Sequence, residues 1–544
     1  MRRNALLLFC CAIAVLVAAA KPVGSTRVSD VARFAAGGPT HGGGDKWAVI
    51  VAGSSGWWNY RHQADACHAY QILKRNGFPD DRVIVMRYDD IERNANNPLP
   101  GVVINDAACI PDAARKDMDG NWILPREDCN VNLECPKDYY GAAVTPDSFL
   151  RVLSGDAENA TAACEAANAS TTFGGCNGKV LNSTANDHVF LAYFDHGATH
   201  VIGFPAPLFA PMRFLTADAL VGTLERMHAG SRRMFRSMAV YLEACDSGSM
   251  FNGLLPDWLP VWASTASDPF HSSYARFCDC HVSLETGQRP MPCLGDLYAT
   301  EWMADISTHD PREETLWEDY VRVSRDTNLS QVCVYGDLVG LANASLETFV
   351  GASPRPLSSE PLEKPRGLGQ GRERAGARAQ WGTQRGEERG VDAVDAREAT
   401  LVSLDRAMRT CGEPGCAQAF ANAMANELRS RARVDAQLER LLAVVVAAAP
   451  PELEARLASP PEAAGPPEPA LCVQRPTLPR TSAAGGAYLD CFERGLAGVA
   501  ARCETTGAAP DYALDASARL VSSLCAAGVD ASTLDHAIEH ACEA

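Results

Sequence analysis

Hydrophobic side chains in the first half of this chain fall in short unbroken runs rather than alternating with polar ones. Lys46-Trp-Ala-Val-Ile-Val-Ala-Gly53, Arg82-Val-Ile-Val-Met86, Val189-Phe-Leu-Ala-Tyr-Phe194, Met238-Ala-Val-Tyr-Leu242 and Trp258-Leu-Pro-Val-Trp-Ala263 are such runs. Their β-branched and aromatic content marks them as strands covered on both faces, the signature of a parallel sheet. A helical pattern around Gln63 to Asn76 separates the first two. This βαβ rhythm predicts an α/β fold, a mostly parallel sheet flanked by helices. Two polar segments, 106–135 and 160–178, carry Cys109, Cys129, Cys135, Cys164 and Cys176 and are expected as loop excursions partly stapled by disulfides. Five cysteines cannot all pair among themselves.

The pattern changes twice more. Residues 364–390 are rich in Gly, Lys and Arg with almost no aliphatic side chains, so they cannot bury a core and are expected as a flexible, protease-accessible linker. Residues 396–544 are Ala- and Leu-rich with helical spacing, as in Ala436-Gln-Leu-Glu-Arg-Leu-Leu-Ala443, broken at Pro450-Pro451 and Pro460-Pro461. A separate all-helical domain follows. The expected plan is therefore a leader over 1–20, a flexible segment over 21–44, an α/β domain over 45–345, a linker over 346–395 and a helical domain over 396–544.

The leader has signal-peptide grammar: Arg2 and Arg3, an apolar stretch from Ala5 to Val17, then Ala18-Ala19-Ala20. No other run is long and apolar enough to cross a bilayer. A secretory route fits the 20 cysteines and the glycosylation sequons at Asn159, Asn168, Asn182, Asn328 and Asn343. The formal charge of −18 argues against nucleic acid as a partner.

Candidate chemistry sits where two of the apolar runs end. Asp195-His196-Gly197 follows one, and Glu243-Ala-Cys245-Asp-Ser-Gly-Ser249 follows another. Carboxyl ends of parallel strands are where α/β proteins build sites, so an imidazole and a thiol are expected side by side. A thiol nucleophile with an imidazole base is the natural reading. Cys278-Asp-Cys280-His281 with Cys293 admits a zinc reading, but disulfides suit an oxidising lumen better, and neither metal nor cofactor is called for.

Together with Gly53-Ser-Ser-Gly-Trp-Trp-Asn59-Tyr-Arg61-His62, Tyr88-Asp-Asp90, Asn97-Pro98, Pro100-Gly101 and Ser272-Ser273-Tyr274, these motifs closely resemble the legumain, or asparaginyl endopeptidase (vacuolar processing enzyme), family of caspase-like cysteine peptidases. The likeness runs closely over about residues 45 to 340 and more loosely beyond. It implies a caspase-like fold with Cys245 as nucleophile, His196 handling protons and Asn59 orienting the imidazole. It further implies an oxyanion site at the N–H groups of Gly197 and Cys245, and a pocket lined by Arg61, His62, Glu243, Ser273 and Asp296. A carboxamide needs a donor on one side and acceptors on the other, which Arg61 with Glu243 and Asp296 supplies. Glu243 has a blander alternative as the ion-pair partner of Arg61. Asp195 matches a position that the family uses, in a role left open.

The activity so implied is cleavage of peptide bonds after Asn, and after Asp at acid pH, through a thioester. The alternative is a peptide ligase in which an amine resolves the same acyl-enzyme. Partners are protein or peptide substrates and the chain's own C-terminal prodomain, an inhibitory cap. The implied compartment is a vacuole- or lysosome-like acidic lumen, or the exterior. Cys491, Cys503, Cys525 and Cys542, spaced by 12, 22 and 17 positions, resemble family prodomains and imply bridges Cys491–Cys525 and Cys503–Cys542, although four cysteines alone allow three connectivities. Activation is expected by cleavage after Asn343, Asp392 or Asp395, with the cap leaving as acid neutralises the carboxylates that hold it. Cys411, Cys416, Cys472 and the long linker depart from the family pattern.

Overall fold

The structure, a computed structural model, describes residues 31, 38–170, 172–206, 212–285, 287–353, 393–411, 414–450, 453, 471–473, 483–503 and 510–542. The leader, the whole Gly/Arg stretch over 364–390, Asp392, Pro451 and Pro460-Pro461 lie outside the described residues.

In chain order the first elements are β1 (Lys46–Ala52), α1 (Tyr60–Arg75), β2 (Val83–Arg87), β3 (Tyr139–Gly141), α2 (Pro146–Ser154), α3 (Ala157–Asn168), β4 (Gly174–Cys176) and β5 (His188–Phe194). There follow β6 (Gly197–Ala198), β7 (Val201–Phe204), β8 (Arg213–Thr216), α4 (Ala217–Ala229), β9 (Ser237–Glu243), β10 (Val261–Thr265), β11 (Tyr274–Arg276), β12 (His281–Leu284), β13 (Gly287–Pro290) and β14 (Gly295–Asp296). α5 (Leu297–Thr308), α6 (Leu316–Asp326), β15 (Cys333–Gly336) and two single helical turns at Leu338–Leu341 and Glu347–Val350 complete the first domain. The remainder is β16 (Ala393–Asp395), α7 (Ala399–Thr410), α8 (Pro414–Ala448), β17 (Cys472–Val473), α9 (Ala483–Arg502), α10 (Pro510–Ala526) and α11 (Ala531–Cys542).

Nine strands form the central sheet in the order β17-β15-β10-β9-β5-β1-β2-β3-β4. From β10 to β3 every pairing is parallel. Along β1, Ala48, Ile50 and Ala52 face one hydrophobic layer, shared with α1, α5 and α6, while Val49 and Val51 face another shared with α2 and α4. Two covered faces explain why these strands read as continuous apolar runs.

The five expected strands and the helix between the first two form, with ends shifted by a few residues. The shift is largest for the last, where β10 begins only at Val261: Pro260 has no N–H for a ladder, and the Trp258 ring is exposed. The segment over 160–178 is a correction, since its first half, to Asn168, belongs to α3, capped by Asp156, whose carboxylate accepts from Asn159 N. Cys164–Cys176 staples it and Cys109–Cys129 staples the earlier excursion, while the odd cysteine, Cys135, reaches Cys67 on α1.

Both ends of the 346–395 segment are built into the fold. Leu346, Phe349 and Val350 are buried in the first domain, and Ala393–Asp395 is a strand. The C-terminal region is not all helix either, because β17 pairs with β15 at the edge of the main sheet. Its helices pack Val434, Leu438, Leu441 and Val445 of α8 against Phe492, Leu496, Val521, Leu534 and Ile538. Truncating a buried leucine there, such as Leu441, is worth about 2–5 kcal/mol. Ala198, Val201 and Met212 of the first domain belong to that same cluster, so the helices rest on the small sheet β6-β7-β8. Cys491–Cys525 and Cys503–Cys542 form as the resemblance implies. Cys411 pairs with Cys416, and Cys333 with Cys472. Cys278 pairs with Cys293, which takes two sulfurs from any zinc set; Cys280 stays outside the disulfides.

Candidate active site

β5 and β9 are neighbours in register, Phe194 opposite Glu243, so Asp195-His196 and Ala244-Cys245 leave the sheet together. Gly197 makes that closeness possible. A Cβ there would stand 2.7 Å from Cys245 O and 2.8 Å from the Ala244 methyl, which no side chain tolerates. Immediately after Cys245 the backbone of Asp246 turns left-handed (φ 50°, ψ 20°), an arrangement that costs about 1–3 kcal/mol for a non-glycine residue and is held by its surroundings.

Asn59 occupies the N-cap position of α1 without capping it. Its Nδ2 donates to Ser55 O (3.1 Å) and to Asp511 Oδ2 (3.0 Å), leaving Oδ1 to accept from His196 Nε2 at 2.9 Å. That network assigns the imidazole proton to Nε2 and the lone pair to Nδ1. Ser273 donates from its backbone N to Cys245 Sγ at 3.4 Å, and its hydroxyl lies 3.8 Å from the sulfur. Burial drives the His196 pKa down to about 4 and the Cys245 pKa up to about 12, so both groups are neutral as they stand.

Behind Ser273 lies a buried charged pocket. Arg61, with no exposure, donates from Nε to Asp296 Oδ1 at 2.8 Å. Its Nη2, Glu243 Oε1 and Asp296 Oδ2 are buried without a hydrogen bond. Arg61 bonds Asp296 rather than Glu243, whose Oε2 accepts from Ala299 N at 3.2 Å; the simple ion-pair reading of Glu243 therefore fails. His62 contacts Ser54 Oγ (2.6 Å) and stands 3.5 Å from Asp296 Oδ2, and burial followed by the Arg61 charge holds it neutral. Burial, then the charge of Asp296, raises Glu243 and Asp65 well above the carboxylate range, and burial raises Asp296. The guanidinium, ion-paired to Asp296, thus sits beside two further carboxyls, Glu243 and Asp65, whose protonated forms burial and the Asp296 charge favour. Asp195, also raised by burial and then by Asp511, has Oδ1 buried without a hydrogen bond beside His62.

The cleft is occupied by the C-terminal region. β16 runs antiparallel to β11, and the next residue, Ala396, donates its N–H to Ser273 O at 3.0 Å. Ala396 is therefore bonded to the residue whose own N–H touches the sulfur. Arg397 then reaches back to Asp246 Oδ1 (2.9 Å), Ser272 Oγ and Asp515 Oδ1 (3.0 Å), while Arg519 donates to both Asp246 oxygens at 3.1 Å. Asp511, Arg397 and Arg519 escaped sequence reasoning because each meets Asn59 or Asp246 from more than 150 positions away; Asp65, which accepts from Asp296 N, and Asn105, which donates to Leu294 O, carried no motif of their own.

A doubly wound sheet with a thiol and an imidazole at adjacent strand ends has the layout of an α/β cysteine peptidase. The Peptidase C13 family matches residues 46–352, and the chain belongs to that family. It is 39% identical over 322 residues to the vacuolar-processing enzyme of Citrus sinensis, covering 57% of this chain and 56% of that protein. It is 39% identical over 350 residues to the legumain of Homo sapiens (64% and 67%), and 42% identical over 323 residues to that of Mus musculus (59% and 62%). The matched region thus spans between about half and two thirds of those relatives' own lengths.

Proposed function

We propose that the protein is an asparaginyl cysteine endopeptidase made as a capped precursor. The observation that carries this is the trio of unpaired buried atoms beside the thiol: Arg61 Nη2, Glu243 Oε1 and Asp296 Oδ2. A carboxamide oxygen can accept from the guanidinium while its NH2 donates to the two carboxyls, satisfying groups whose solitude costs about 1–3 kcal/mol each. An Asp side chain brings a further anion to a pocket already rich in carboxyls, so it enters once acid has protonated it.

Chemistry follows from the neutral pair. His196 Nδ1 takes the Cys245 proton as the sulfur bonds to the scissile carbonyl carbon, and the oxyanion is held by the N–H groups of Gly197 and Cys245. Collapse breaks the C–N bond, and the imidazolium returns its proton to the departing amine. Water then attacks the thioester, its proton passing to the imidazole, which restores the thiol and frees an Asn-ended acid. An amine attacking in place of water gives the ligase product. Asn59 Oδ1 keeps the ring in the tautomer both halves need.

The names of the vacuolar-processing and legumain relatives support a vacuole- or lysosome-like compartment, reached through the secretory route the leader predicts. The C-terminal region acts as the inhibitory cap. The test is acid incubation of purified precursor, wild type and Cys245→Ala, followed by Asn, Gln and Asp peptides with and without an amine nucleophile. Asn-specific products from the wild type alone support the reading; equal cleavage of Gln peptides, or products from the Ala variant, would refute it.

A further inference from the structure

One disulfide joins the two halves of the molecule. Cys333 on β15 is bonded to Cys472 on β17, and the pair is held in register by the parallel ladder and by Tyr320 Oη, which donates to Cys472 O at 2.9 Å. Cys472 lies between α8, which follows the linker, and the bundle of α9 to α11, which places Asp511 and Arg519 at the active site. The anchor therefore sits on the cap's own chain, downstream of every cleavage site expected in the linker.

We propose that cutting the linker does not release the cap. It yields a two-chain protein in which the cap stays attached through Cys333–Cys472 and inhibits as a reversible intramolecular ligand. This rests on the Asn/Asp specificity proposed above in one respect: residues 473–489 contain neither Asn nor Asp, so the enzyme has no site for freeing α9 from its anchor. Only nine residues of sequence separate Val473 from Ala483, and a connection that short holds a ligand at an effective concentration on the order of millimolar. Opening and closing is then a first-order event. Acid opens the site, and return toward neutral closes it at any dilution, whereas a freed cap would be lost on dilution.

The test uses the full chain. A recognition site for a sequence-specific protease is placed in the linker of the Cys245→Ala precursor, so that the nick does not depend on self-cleavage, and the product is compared on reducing and non-reducing gels. The expected result is one species without reductant and two with it, and two in both lanes for Cys333→Ser/Cys472→Ser. If the double variant does not fold, differential alkylation before reduction distinguishes the same two outcomes: both cysteines should resist labelling. Two species without reductant, or labelling of Cys333 and Cys472 as thiols, would overturn the proposal. In the catalytically competent, acid-processed wild type, activity should fall at least tenfold on return to near-neutral pH and recover on re-acidification, equally at nanomolar and micromolar protein. Loss of that dilution independence would also overturn it, whereas absence of Asn cleavage at acid pH would count against the proposed specificity alone.

Discussion

Asp511 Oδ2 stands 3.3 Å from His196 Nε2, so a carboxylate from helix α10 shares the imidazole proton with Asn59. The C-terminal helices thus touch the candidate imidazole directly as well as lying over the cleft. Asp511 is partly exposed, so its contribution is discounted for solvent to about 1 kcal/mol. Asp511→Ala should raise the background Asn-peptide cleavage of the unprocessed precursor roughly five-fold and leave kcat of the acid-opened enzyme unchanged; progress curves before and after acid treatment check both.

The neutral state of the buried dyad predicts the reactivity of the thiol. With Cys245 up at about 12 and His196 down at about 4, iodoacetamide should alkylate the neutral-pH precursor slowly and with no inflection between pH 5 and 8. Acid opening hydrates both groups, and alkylation should accelerate at least tenfold. Mass spectrometry of the Cys245 peptide measures this.

Stability against pH has a definite sign for His196. Its folded value lies near 4, below the ordinary 6.5, so the unfolded chain binds a proton that the folded one refuses. The stability it supports is present above pH 6.5 and is lost as pH falls toward 4, up to about 3 kcal/mol. Asp246, raised by burial to about 6, works in the opposite sense, stabilising as pH drops through 6. In the Cys245→Ala background, His196→Gln should remove the first effect alone and flatten the fall in melting temperature between pH 6.5 and 4. An unchanged slope would show that His196 does not titrate in this way.

Glu243 reads the substrate amide if its free Oε1 is the acceptor it offers. Glu243→Ala should lower kcat/KM for an Asn peptide about 10- to 100-fold, while alkylation of Cys245 in the opened enzyme is unchanged. A purely structural role would lower the melting temperature and leave selectivity for Asn over Gln where it was.

Ala396 bonds Ser273, the residue that touches the sulfur, as a substrate residue is expected to, and its side chain is only a methyl. A peptide spanning residues 391–399 should inhibit the opened enzyme competitively and remain uncut. The same peptide with Ala396→Asn should be cleaved between positions 396 and 397, about 10⁴-fold faster, as sites built to bind a polar group discriminate. Cleavage of the unsubstituted peptide after Asp395 would displace the register.

The strands and the dyad were legible in the sequence because they depend on local pattern: buried parallel strands are continuous apolar runs, and their ends carried the reactive residues. α3 was not legible, since its Ala-rich polar sequence has only Ala160 and Cys164 buried and lacks a strong apolar stripe. The cap's grip was illegible for a different reason. Asp246 to Arg519, Asn59 to Asp511 and Cys333 to Cys472 are pairings set by tertiary folding, and the spacing of charges or cysteines along a chain does not encode them.

The most direct measurement is intact-mass detection of the acyl-enzyme after rapid acid quench of the opened protein with an Asn peptide. A Cys245 nucleophile beside an amide-reading pocket predicts a thioester adduct of the acyl fragment on the Cys245 peptide, present with Asn, absent with the matched Gln peptide and absent in Cys245→Ala. An adduct of equal yield with Gln, or turnover of the Asn peptide by Cys245→Ala, would contradict it.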